Sequence, residues 1–110
     1  MVLIYLDDVR YFNPAGVVLP EDCEFQLVRN ANAAIAMIDF YSEHNTKIWI
    51  DFDHDLGSRN SGYDVAKWIV DNQIPNLEFH IHSMNPVGAA NIRQLLTTYG
   101  YKEYEYKRKV

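Results

Sequence analysis

The chain has 110 residues, of which 48% are hydrophobic, 14% aromatic and 23% charged. That mixture excludes a disordered chain and gives one domain over residues 1–110, with room for a single hydrophobic core that needs no metal or disulfide to fold. Ten Lys+Arg against fifteen Asp+Glu leave a net charge of −5, which excludes a broad electrostatic grip on duplex DNA. The one cysteine, Cys23, excludes an internal disulfide and a CxxC zinc site.

The apolar start Met1 to Leu6 is cut off by Asp7 and Asp8. It is too short for a signal-peptide core or a membrane span, so a soluble, cytoplasmic protein with no membrane partner is expected. Val2 to Leu6 reads as a strand buried on both faces. Val9 to Asp22 carries the breakers Asn13-Pro14-Ala15-Gly16 and Pro20 and reads as a loop with at most one helical turn. Glu24 to Val28 alternates like a strand. Asn30 or Asn32 caps a helix whose stripe is Ala34, Met37, Ile38 and Tyr41.

Lys47 to Phe52 is a strand, and Asp53 to Ser61 is a polar loop. Val65, Trp68 and Ile69 form the next helical face, ended by Asn72 and Pro75, and Leu77 to Ser83 is a further strand. Asn85-Pro86 starts a helix with stripe Ile92, Leu95, Leu96 and Tyr99, and Gly100 stops it. Tyr101 to Lys107 reads as a last strand, with Lys107-Arg108-Lys109 as a solvated tail. This alternation predicts an α/β fold, a doubly wound, mostly parallel five-stranded sheet in the order 2-1-3-4-5. Ligands of such sheets bind at the carboxyl ends of strands, near the point where strand order reverses.

The polar residues gather at those ends. Strand one runs into Asp7-Asp8 and Arg10, strand three ends in Asp51-Phe52-Asp53-His54-Asp55-Leu56-Gly57, and strand four carries His80, His82, Ser83 and Asn85. Two carboxylates ~4 Å apart repel by about 4 kcal/mol at an effective dielectric of 20. Such a group needs a cation or raised pKa values, and carboxylate oxygens suit Mg2+ or Mn2+. The candidate metal ligands are Asp7, Asp8, Asp53 and Asp55; Asp51 either points into the sheet or pairs with an arginine.

His80 and His82 share one side of their strand and are candidates for proton transfer. His82 is nearer the strand end, and His80 reads equally as a hydrogen-bonded core histidine. His54 is either a group supporting the ligands or a ligand to a second, softer metal. Arg10, Ser83 and the helix start at Asn85 are candidate phosphate-binding groups, although Arg10 reads as readily as a salt bridge to a neighbouring aspartate. Arg93 is expected to face solvent. Tyr99, Tyr101, Tyr104 and Tyr106 either cover the sheet or stack on a base.

Asp7-Asp8, Asp53-His54-Asp55-Leu56 and Ser83 resemble the corresponding positions of response-regulator receiver domains. The resemblance matches Asp53 to the phosphoacceptor aspartate and Asp7 and Asp8 to Mg2+ ligands. A Lys-Pro after strand five is not evident, the first helix looks reduced to a loop, and the fifth helix is missing. The combined motifs Leu6-Asp7-Asp8-x-Arg10, Asp51-Phe52-Asp53-His54-Asp55-Leu56-Gly57 and His80-x-His82-Ser83-x-Asn85-Pro86-x-Gly88 resemble the cyclic-phosphate-processing receiver-like family.

That resemblance implies a phosphoesterase acting on cyclic phosphates of nucleotides or RNA 3′ ends, in bacterial or phage settings of RNA-end processing or nucleotide-based defence. In this role His82, His80, Asp53 and His54 are the catalytic candidates, with Asp53 either ligand or nucleophile. The alternative is a stand-alone receiver-type signalling or binding module phosphorylated on Asp53, or one that has lost catalysis. Asp51-Phe52-Asp53 is also a weak echo of haloacid-dehalogenase-like phosphatases, and His80-x-His82-Ser83 of two-histidine phosphoesterases.

Overall fold

A computed structural model describes residues 1–110. The elements in chain order are β1 (Val2–Leu6), β2 (Val17–Val18), β3 (Glu24–Val28), α1 (Ala31–Glu43), β4 (Ile48–Phe52), α2 (Gly62–Asp71), β5 (Leu77–Ile81), α3 (Pro86–Thr98), β6 (Lys102–Glu103) and β7 (Lys107–Arg108). The main sheet is parallel and ordered β3-β1-β4-β5-β6, which is 2-1-3-4-5 among its own five strands. The expected receiver-like sheet is therefore present.

The three helices pack side by side, α1 on α2 and α2 on α3. The crossovers β3-α1-β4, β4-α2-β5 and β5-α3-β6 all step the same way across the sheet, and right-handed connections then put their helices on one face. The core lies there. Val2, Ile4, Leu6, Ile48, Ile50, Phe52 and Phe79 of the sheet meet Ile38, Val65, Ile69, Ile92 and Leu96 of the helices. Burying each such side chain stabilises by roughly 1.5–3 kcal/mol.

Only the step from β1 back to β3 runs the other way, and it holds a loop instead of a helix. The second face is covered by that loop and by the C-terminal segment. Tyr104 stacks on Trp49 at 3.9 Å between ring centroids, and Phe12 packs against Tyr5, Phe25 and Tyr106. Tyr104 and Tyr106 thus cover the sheet, and Tyr101 ties its hydroxyl to the Ile74 carbonyl.

Helix starts follow the local chemistry. Asn30, not Asn32, caps α1 by accepting from the Ala33 amide, and Asn85 caps α3 by accepting from Gly88. Other expectations need correction. The loop after β1 stays within the expected limit of one helical turn, but it also contains the short strand β2. The last strand is only β6, because the chain leaves the ladder once the Tyr104 amide donates to the Phe79 carbonyl. The tail at Lys107-Arg108-Lys109 keeps its side chains in solvent, but its backbone pairs with β2 as the antiparallel strand β7.

Tyr99 does not join the buried stripe of α3; it is the C-cap residue and lies exposed. Arg93 makes a two-pronged salt bridge to Glu103. No helix is long and apolar enough to cross a membrane.

Candidate active site

Strand register alone brings the key residues to one edge. Asp7 continues the ladder past β1 by donating its amide to Val28, Asp53 does so past β4 to Leu6, and His82 past β5 to Phe52. The three therefore stand on one rung of neighbouring strands. Side chains alternate along a strand, so the rung that shares their face is Tyr5, Asp51 and His80, which are paired across the same strands. This is the face without helices, at the carboxyl ends of the strands.

The side chains then converge. His82 Nε2 lies 2.9 Å from Asp7 Oδ2, and Nδ1 lies 2.5 Å from Asp51 Oδ1. The imidazole stacks flat on Tyr5, 4.5 Å between centroids and 5° between planes. Arg10 bridges the two acids of the outer rung, with Nε 3.1 Å from Asp7 and Nη2 3.7 Å from Asp53. Asp7, Asp51 and Asp53 are 0%, 2% and 4% exposed. None of the five surface hollows is lined by Asp7, Asp53 or His82.

Burial alone pushes the His82 imidazolium down, but the hydrogen bonds and charges of Asp51 and Asp7, with Asp53 behind them, outweigh it and hold its pKa above the ordinary histidine value. Burial also disfavours the Asp7 carboxylate. The amides of Arg10 and Val9, His82 and the Arg10 guanidinium overcome this and leave its pKa lowered. Asp53 goes the other way. Burial and the charge of Asp7 raise its pKa, against the opposing pull of His82 and Arg10.

A family model, the cyclic-phosphate processing receiver domain, matches residues 2–98, nearly the whole chain. The chain belongs to that family. No curated protein and no solved structure matches it.

The receiver domain's donor set suits a divalent cation. One atom from each of Asp7, Asp53 and His82 lies within 4.8 Å of the others. Three buried carboxylates lie there beside Arg10 and His82, and burial, followed by the charge of Asp7, raises the Asp53 pKa. Carboxylate oxygens suit Mg2+ or Mn2+, and an imidazole nitrogen fits softer ions.

The other sequence-predicted residues fall outside that set. Asp8 turns its carboxylate toward Gly57. Asp55 is exposed and pairs with His54 Nδ1 at 2.8 Å and with the Asn85 amide. Asn85 is thereby occupied by its cap and by Asp55. Ser83 Oγ accepts from the Asn85 amide, which leaves its own proton free. His80 is half-buried and directs Nδ1 to the Tyr104 carbonyl.

Two glycines let the turn after β4 pack closely. A Cβ on Gly62 would fall 2.1 Å from the Asp53 carbonyl oxygen, and one on Gly88 would fall 2.4 Å from the His54 ring. Sequence reasoning missed Arg29, whose guanidinium donates to the Asp7 and Arg10 carbonyls and lies 4.5 Å over the Tyr11 ring. Its place immediately after β3 was a usable signal, since β3 is the neighbour of β1. Asp51 pairs with a histidine and a tyrosine rather than with an arginine.

Proposed function

We propose that this receiver domain is a phosphoesterase that opens a cyclic phosphate on a small nucleotide or an RNA 3′ end with the help of Mg2+ or Mn2+. The observation that carries the reading is His82, held by Asp51 at one nitrogen and presented to Asp7 at the other, with Arg10 alongside. The family description supports the substrate class.

Asp7 and Asp53 are the residues that would hold the cation, which would supply charge neutralisation at the phosphoryl group and activation of the attacking water. Arg10 is 42% exposed at its side chain. Turning its donors onto the non-bridging oxygens exchanges its contacts with Asp7 and Asp53 for a phosphate, which its fork geometry suits. Ser83 offers its free hydroxyl proton to the same oxygens. Water adds to phosphorus, and the bond from phosphorus to one ribose oxygen breaks. That oxygen takes the proton from His82 Nε2, and the proton released by the water restores His82 by way of solvent. Asp51 keeps Nδ1 oriented throughout.

The test is incubation with 2′,3′- and 3′,5′-cyclic nucleotides and with an RNA ending in a cyclic phosphate, with and without Mg2+ or Mn2+. Metal-stimulated ring opening is expected. No turnover on any of them overturns the reading, and stable labelling of Asp53 by acetyl phosphate in that case favours the signalling module.

A further inference from the structure

The hydrogen-bond chain behind His82 does not stop at Asp51. The second oxygen of Asp51 accepts from the Tyr106 hydroxyl at 2.7 Å, and Tyr106 meets the Tyr104 hydroxyl at 3.1 Å. Tyr106 lies beyond the span matched by the family. Its ring is fixed by Phe12, Trp49, His80 and Tyr104 at 5.0–6.3 Å between centroids. The segment is anchored on both sides. The Tyr104 amide donates to Phe79, and the Lys109 amide to Gly16, next to the β2–β7 pair.

We propose that Tyr106, acting through Asp51, is a positioning residue for His82, so that the C-terminal segment supplies part of the active site. A carboxylate bonded at one oxygen can still swing about its terminal torsion. Pinning both oxygens fixes its plane, and the plane of Asp51 fixes the rotation of the imidazole it holds. Tyr5, stacked flat on the ring, limits tilt. Nδ1 is then committed to Asp51, and Nε2 is the nitrogen that faces Asp7. Burial and the charge of Asp51 raise the Tyr106 pKa, so the phenol stays a donor. Partners that orient a working histidine typically matter by 10–100-fold.

This inference rests on the proposed hydrolysis for its kinetic readout but not for its spectroscopic one. The full chain, with 15N-labelled histidine, is compared with Tyr106→Phe at one pH. The His82 Nδ1 proton is expected to be slowly exchanging and far downfield in the parent. In Tyr106→Phe it should exchange with water about tenfold faster or more, while kcat falls by a similar factor and KM stays within twofold. A ring that merely covers the sheet predicts no change, because phenylalanine keeps the packing.

Asp51→Asn provides the second variant. It should lose the same signal, and adding Tyr106→Phe to it should cost little more, since the two act in one chain. An unchanged Nδ1 proton in Tyr106→Phe, or fully additive losses in the double variant, overturns the proposal. If the parent turns over no cyclic phosphate but the proton responds as expected, the hydrolysis fails and the positioning stands.

Discussion

Asp51 and His82 meet diagonally across two strands. Asp51 is paired in register with His80, yet its carboxylate reaches two residues further along that strand to His82 Nδ1. Both partners sit on the sheet face that no helix covers, with the Asp51 side chain 3% and the His82 side chain 15% exposed. That arrangement holds the imidazole by both ring nitrogens, Nδ1 at Asp51 and Nε2 at Asp7.

In the proposed hydrolysis, replacing His82 removes the proton donor while leaving Asp7, Asp53 and Arg10. His82→Gln should lower kcat on cyclic nucleotides by roughly 10²–10⁴-fold, the usual worth of a placed acid or base. Steady-state kinetics with Mg2+ or Mn2+ checks this. Activity within a factor of two of the parent would remove His82 from the chemistry.

Stability should depend on pH with a definite sign when divalent ions are chelated. The folded pKa of His82 is raised above 6.5. Its contribution is therefore complete below pH 6.5 and lost as pH rises through the folded value. Asp7 is lowered below 3.8, so its contribution is present above that pH and disappears as pH falls through the folded value. Asp53, raised instead, opposes Asp7 in the acid range. Melting curves across neutral and mildly alkaline pH should show a decline, and His82→Gln should flatten it.

A bound cation should stabilise the folded chain by mass action, by about 2.7 kcal/mol at a hundred times its dissociation constant. Mn2+ or Mg2+ should raise the melting temperature of the parent and leave Asp53→Asn nearly unmoved, because that variant loses a carboxylate of the donor set. Equal shifts in both proteins would place the ion elsewhere.

Gly88 and Gly62 invert the ordinary rule that alanine strengthens a helix by up to about 1 kcal/mol over glycine. A methyl at Gly88 meets the His54 ring, whose side chain can give a little. A methyl at Gly62 meets the backbone of Asp53, which cannot. Urea denaturation should show Gly88→Ala destabilised by roughly 1–3 kcal/mol and Gly62→Ala by more. A stabilised Gly62→Ala would mean that the Asp53 turn is not held where the structure has it.

How far the sequence could be read is clearest at the strand ends. Val2 to Leu6 is an unbroken apolar run, recognisable as a strand because burial on both faces is a local pattern, and Lys47 to Phe52 is recognisable from its β-branched and aromatic residues. Each run ends in aspartate, so the acidic rim was legible once strand order was inferred. Tyr101 to Lys107 also alternates, yet only Lys102–Glu103 joins the sheet. Alternation does not reveal where Tyr104 finds Trp49.

The sequence by itself determined the order of strands and helices, the parallel sheet and the edge at which Asp7, Asp53 and His82 collect. Those follow from periodicity, caps and the handedness of crossovers, which act over a few residues or on the whole topology. Only the tertiary structure decided that Asp7 rather than Asp8 meets His82, that one face of the sheet lacks helices, and that Tyr106 reaches Asp51 across fifty-five positions of chain. Adjacent residues on an extended chain point to opposite sides, and contacts between distant segments depend on register and rotamer. No local pattern in the chain encodes those two quantities.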